Sequence, residues 1–214
     1  MFYSVRVDGT ISLFSAEASG PGLADLAGVL CGPGRMTGFG RTAARLSAVV
    51  DEPWRAGALA RECRRRGAEA QVSAAECGRP LVRTPFRVDL LPLEQRWNRG
   101  EEKVLPEGFR LDGAMLRMWA LAAGSPQGNG YLLALDPEAP ETHERLITAL
   151  AQLGVRRITA LAQLGVPAKA QKGEEALLRV TGRRRLAHVL ELIGDAPAGA
   201  EPAWPSLVPV VRAV

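Results

Sequence analysis

The chain has 214 residues, 47% hydrophobic and 5% aromatic, with 23 Gly, 15 Pro and a formal net charge of +4. The apolar content supplies a sizeable core and argues against disorder, while glycines and prolines without a collagen period mark frequent breaks. Scarce aromatics disfavour a single-strand binder built on broad stacking platforms.

Residues 2–7 and 10–14 read as a hairpin around Asp8-Gly9, a pair suited to positive φ. Pro21 opens a helix lined with small residues that stops near Gly32-Pro33-Gly34. Residues 42–50 read as a strand and 53–66 as an arginine-rich helix, with Asp51 and Glu52 before it, Pro53 in its first turn and Gly67 at its end. Residues 68–75 and 80–90 look extended, and 93–99 reads as a short helix.

After a linker over 101–108, Leu111 to Ala123 forms a second small-residue helix, halted by Gly124-Ser125-Pro126. A strand over 130–136, a helix over 140–153, strands at 167–171 and 174–181 and a helix over 182–193 follow. The chain thus reads as two copies of about 85 residues, neither with a convincing core of its own. The nonapeptide at Ile147–Val155 recurs identically at Ile158–Val166, a shift of 11 residues, or about three helical turns. It is either a recent duplication carried as an extra helical segment or a selected extension that re-aims the second basic block.

Of 27 basic residues 24 are Arg, and they are unevenly placed. Residues 35–99 carry 13 Arg against 7 acids, 101–144 carry 3 basic against 8 acidic residues, and 156–185 carry 8 basic against 2 acidic. Two accounts fit the arginine excess: coding bias or thermal stability, and bidentate phosphate contact. Cys31, Cys63 and Cys77 lack ligand spacing, and His143 and His188 stand apart, so no zinc site or other cofactor is expected. His143, in a helix first turn, is expected to be exposed. No leader pattern or 18-residue apolar run occurs, which predicts a soluble, cytoplasmic protein.

The two small-residue helices end in Leu26-Ala27-Gly28-Val29-Leu30-Cys31-Gly32-Pro33-Gly34 and Leu116-Arg117-Met118-Trp119-Ala120-Leu121-Ala122-Ala123-Gly124, 90 residues apart. The first resembles the LAGLIDADG motif. With Leu164 to Gly173 and Leu190 to Gly194 in the second half, and Arg61 to Val72 as a first-half counterpart, the chain is similar to the bacterial WhiA family over roughly residues 20–196. The resemblance implies an α+β fold: a duplicated LAGLIDADG homing-endonuclease-like body with pseudo-twofold symmetry and two mixed or antiparallel sheets forming a saddle over duplex DNA. It divides the chain into an N-terminal extension (1–19), two halves (20–100 and 109–196) and a tail (197–214). Gly28, Gly32, Ala120, Ala123 and Gly124 would let the two helices approach closely.

The residue before the final glycine is the metal-binding acid in active members of that family, and here Pro33 and Ala123 occupy those positions. Neither can hold a cation. Asp25 and Asp112 lie about two and three turns upstream and are poor substitutes. The 20 residues after Gly194 leave no room for the helix-turn-helix that the WhiA resemblance implies.

If 81–90 alternates, Leu81, Arg83, Pro85, Arg87 and Asp89 share one side and Val82, Thr84, Phe86, Val88 and Leu90 the other. Arg45, Arg83, Arg87, Lys169, Lys172 and Arg179 would then line patches that meet phosphates, or be the ordinary solvated side of two sheets. Arg64 to Arg66, near a helix C-terminus, read as structural. Arg183 and Arg184, at a helix start, favour phosphate contact. The expected function is a non-catalytic, monomeric double-stranded-DNA-binding protein, related to WhiA regulators. The alternatives are a protein-interaction or structural module with a protein partner and, remotely, a metal-dependent DNA endonuclease.

Overall fold

The computed structural model describes Ser15, Ala16, Ala18, residues 20–155, the backbone of 158–160, and residues 176–207. The expected hairpin over 2–14, the strand over 167–171, Lys169 and Lys172 lie outside these residues.

A 3-10 turn over Leu23–Leu26 runs into helix α1 (Ala27–Cys31), buried along its whole length. Asp25 holds this start by accepting the Gly22 N–H at 3.1 Å. Next come β1 (Arg35–Phe39), β2 (Ala43–Val49), α2 (Pro53–Arg65), β3 (Gln71–Ala74), β4 (Pro80–Arg83), α3 (Leu91–Trp97) and a small hairpin, β5 (Asn98–Arg99) with β6 (Glu102–Lys103). Then follow α4 (Gly113–Ala123), β7 (Gly124–Gln127), β8 (Gly130–Ala134), α5 (His143–Gln152), β9 (Ile158–Ala160), β10 (Leu177–Thr181) and α6 (Arg183–Ile193). The larger sheets run β1-β2-β4-β3 and β7-β8-β10-β9, every neighbouring pair antiparallel.

Strands β1 and β7 escaped the sequence pattern, as did the short β5–β6 hairpin, which falls on the expected end of a helix and a linker. Strand β1 follows the Gly32-Pro33-Gly34 break directly, and β7 begins at the glycine expected only to end α4. Both pair with the strand that follows, so the partner supplies what local propensity does not. The repeated nonapeptide also departs from expectation. Its first copy begins Ile147-Thr148-Ala149 inside α5, whereas Ile158-Thr159-Ala160 of the second copy form β9 against β10. The same three residues are helix in one place and strand in the other, and an available sheet edge decides between them.

Buried residues form one continuous cluster that includes Leu26, Leu30, Leu59, Leu116, Trp119 and Leu192. Helices α1 and α4 pack at its centre, and the expected role of small residues is plain at Gly28. A Cβ there would stand 1.8 Å from the Met115 carbonyl oxygen, and one on Gly32 would stand 3.1 Å from the Ala123 Cβ. Near the end of the described chain, the Trp204 indole N–H donates to the Gly194 carbonyl at 2.8 Å, and the Arg117 guanidinium lies 5.2 Å from the indole centre. No described helix is long and apolar enough to cross a membrane.

Candidate nucleic-acid interface

Along β2, Ala44, Leu46 and Ala48 turn inward, which leaves Ala43, Arg45, Ser47 and Val49 on the outer face. Cross-strand partners share a face, so Thr37 stands beside Arg45, and Arg83 lies between Ser47 and Gln71. Leu81 likewise lies between Val49 and Ser73. No Asp or Glu occupies these outer rows. Arg83 is exposed and makes no ion pair among the described residues. An open depression of about 480 Å³ lies over Ser47, Val49, Ser73, Leu81 and Arg83, with Glu76 and Cys77 on its wall.

The alternation expected for 81–90 breaks after Arg83. Arg83 pairs with Ser47, but Ala44 pairs with Arg87, one residue later than a regular ladder allows. The extra residue is a β-bulge, as Pro85, without an N–H to donate, would favour. Phe86, expected on the buried side, is therefore 39% exposed, with the Arg45 guanidinium 4.5 Å from its ring centre. Arg87, expected to face phosphate, instead donates to Asp89 through Nε at 2.8 Å and through Nη2 at 2.5 Å. It is withdrawn from the set.

On the second sheet, Tyr131, Leu133, Leu178 and Val180 point into the core, and Arg179 lies in register with Leu132 on the opposite face. Ser125 and Gln127 of β7 are exposed. Arg183 and Arg184 are exposed at the start of α6, while Arg185 donates to the Thr181 carbonyl at 2.5 Å. Thus Arg45 and Arg83 share one sheet, and Arg179, Arg183 and Arg184 belong to the second sheet and the helix after it. Sequence reasoning missed Arg41, exposed at the tip of the β1–β2 hairpin, because β1 itself went unrecognised.

Other arginines are spent inside the fold. Arg66, 6% exposed, holds Asp25 at 2.9 Å and Glu62 at 2.7 Å. Buried Arg55 donates to the carbonyls of Leu121 at 2.7 Å and Gly124 at 2.8 Å, closing the end of α4. The structural reading of Arg64 to Arg66 extends to Arg64, paired with Glu69, and Arg65, paired with Glu62.

The ends of α1 and α4 carry no carboxylate at Pro33 or Ala123. Instead the buried Lys103 ammonium donates to the carbonyls of Gly32 at 2.5 Å and Gly34 at 3.0 Å, and to Asp136 at 3.0 Å. Burial lowers its pKa from the ordinary lysine range, against the opposing pull of Asp136. Asp25 and Asp112 cap the opposite ends: Asp112 accepts the Met115 N–H at 2.8 Å, and burial raises its pKa. His143, expected to be exposed, is half-buried with Nε2 2.8 Å from the Asp136 carbonyl oxygen. Among the described residues, no group of three or more His, Cys, Asp or Glu could hold a metal ion.

Solved structures place this arrangement. The homing endonuclease I-WcaI, bound to its DNA recognition sequence, superposes with a TM-score of 0.58 at 12% identity, over 92% of this chain and 88% of that one. The fold is related to the LAGLIDADG fold. The N-terminal LAGLIDADG domain of DUF199/WhiA also matches, with a TM-score of 0.50 at 12% identity, over 82% of this chain and 83% of that domain. At such identities the likeness is one of fold alone. No protein-family model and no curated protein sequence matches the chain.

Proposed function

We propose that this chain binds double-stranded DNA without cleaving it, through the outer faces of its two sheets and chiefly the first, as a monomeric pseudo-dimer acting in regulation. The observation that carries this reading is the outer face holding Arg45, Ser47, Arg83 and Gln71, where neither arginine has an ion pair among the described residues although Glu76 stands at the rim. Cations without an ion pair are available to phosphate oxygens, whereas Arg66 and Arg87 already have theirs. The fold adds support, because its relative I-WcaI was captured on DNA. Pro33 and Ala123 at the central helix ends favour binding over phosphodiester hydrolysis.

Fluorescence anisotropy of a labelled duplex tests this. Binding should appear at about 50 mM salt and weaken steeply toward about 200 mM, as counterion release requires. A folded protein that leaves the duplex free at high micromolar concentration would contradict it. Val88, 73% exposed, favours a protein-interaction module as the second reading, which a stoichiometric protein partner without DNA retention would support.

A further inference from the structure

Phe39 is 63% exposed at the end of β1, the most solvent-facing aromatic among the described residues. Its position is fixed rather than loose. The Phe39 carbonyl accepts both the N–H (3.3 Å) and the hydroxyl (3.0 Å) of Thr42, which closes the tight turn through Gly40 and Arg41, where Gly40 has φ +56°. Beneath it, the bulge brings up Phe86, with ring centres 5.4 Å apart and planes inclined at 48°. The Arg45 guanidinium underlies Phe86 at 4.5 Å. An exposed ring is thus braced by a second ring and a cation, with Arg41 exposed two residues along the turn.

Water alone gives no reason to hold a phenylalanine this way, since its apolar surface is costly to expose. The surroundings identify what would cover it. Phe39 stands in register with Ala43 on the face that carries Arg45 and Arg83, so its partner must present anionic groups around an apolar, flat surface. A nucleic-acid duplex offers that combination, phosphates flanking stacked bases.

We propose that Phe39, braced by Phe86 and Arg45, is a wedge that enters the base stack of a bound duplex, so that the protein prefers DNA whose stack is already weakened at one step. This rests on the DNA-binding reading above and adds a preference to it. Pyrimidine–purine steps, mismatches and single-nucleotide bulges cost least to open, and the ring recovers stacking there.

The test compares labelled duplexes of the same sequence, one fully paired and one with a single-nucleotide bulge flanked by 2-aminopurine, against the full chain and F39A, F39S and F86A variants. The wild type should bind the bulged duplex about tenfold tighter and change the 2-aminopurine emission. F39A and F39S should lose both effects, so that the two duplexes bind about equally, while keeping the urea midpoint of the wild type. Equal wild-type affinity for the two duplexes, or a preference that survives in F39A and F39S, overturns the wedge and leaves DNA binding standing. Absence of binding to either duplex overturns both. Self-association abolished by F39A, with no preference between duplexes, overturns the wedge and assigns the ring to a protein contact.

Discussion

Lys103 Nζ lies 3.0 Å from Asp136 Oδ2, with side chains only 4% and 3% exposed. The pair ties the β5–β6 hairpin to the residues after β8, while the two carbonyls on Lys103 tie it to the end of α1. Arg35 joins from β1 at 3.1 Å, so Asp136 is shared between two cations.

Removing one partner of a buried pair costs about 3–5 kcal/mol, because the other is left desolvated. Lys103→Met should therefore lower the urea-derived unfolding free energy by about 3 kcal/mol. Adding Asp136→Asn should recover part of that loss, since Arg35 is 34% exposed and can rehydrate. Strictly additive losses in the double variant would show that the two groups act independently.

The approach of α1 to α4 gives a second prediction. Gly28→Ala places a methyl 1.8 Å from a backbone oxygen, and only a shift of a whole helix relieves it. The cost should reach or exceed the usual overpacking range of about 1–3 kcal/mol. Gly20→Ala, with nothing within 4 Å, should leave stability unchanged. Equal urea midpoints for the two variants would refute the close packing.

Gly28, Gly32 and Ala123 were legible as close-packing residues because a small side chain on a helix has a local meaning. The helices α2, α4, α5 and α6 were likewise visible from caps and apolar spacing. The sheet face was only half legible. Arg45 and Arg83 follow from alternation, but the bulge that turns Phe86 outward and the pairing of Arg87 with Asp89 depend on where β4 meets β2. Lys103 gave no signal: it sat in an apparent linker, and its partners lie 69 to 71 positions away at Gly34 and Gly32, and 33 away at Asp136.

Glu62 sets a pH dependence. Burial pushes its pKa up, but hydrogen bonding and charge from Arg66, with help from Arg117 and Arg65, outweigh this and hold it below the usual carboxylate range. The unfolded chain then binds more protons between the two values, so stability rises with pH there. The contribution is complete above the ordinary value of about 4.3 and disappears as pH falls through the lower folded value. Glu62→Gln should lower stability at neutral pH and flatten the acid slope. An unchanged slope in urea titrations at several acidic pH values would contradict this.

Thiol chemistry separates the three cysteines. Cys77 is exposed, and a hydrogen bond from Arg79 lowers its pKa. Burial drives the other two upward, Cys63 to about 12. A chromogenic disulfide reagent should therefore label Cys77 in the native protein and reach Cys31 and Cys63 only on unfolding. Arg79→Ala should shift the labelling profile to higher pH. Fast native labelling of Cys31 or Cys63 would contradict the packing of α1 and α2.

The central claim is that the outer sheet face, rather than net charge alone, holds duplex DNA. It is tested most directly by two charge reversals of equal size, Arg45→Glu with Arg83→Glu, and Arg64→Glu with Arg65→Glu on α2, whose arginines already pair with Glu69 and Glu62. The first should abolish duplex binding at about 100 mM salt and reduce the slope of log affinity against log salt by about two, one for each lost phosphate contact. The second should change affinity only slightly. Equal losses in both variants, with folding intact, would contradict the assignment of the sheet face as the DNA-binding surface.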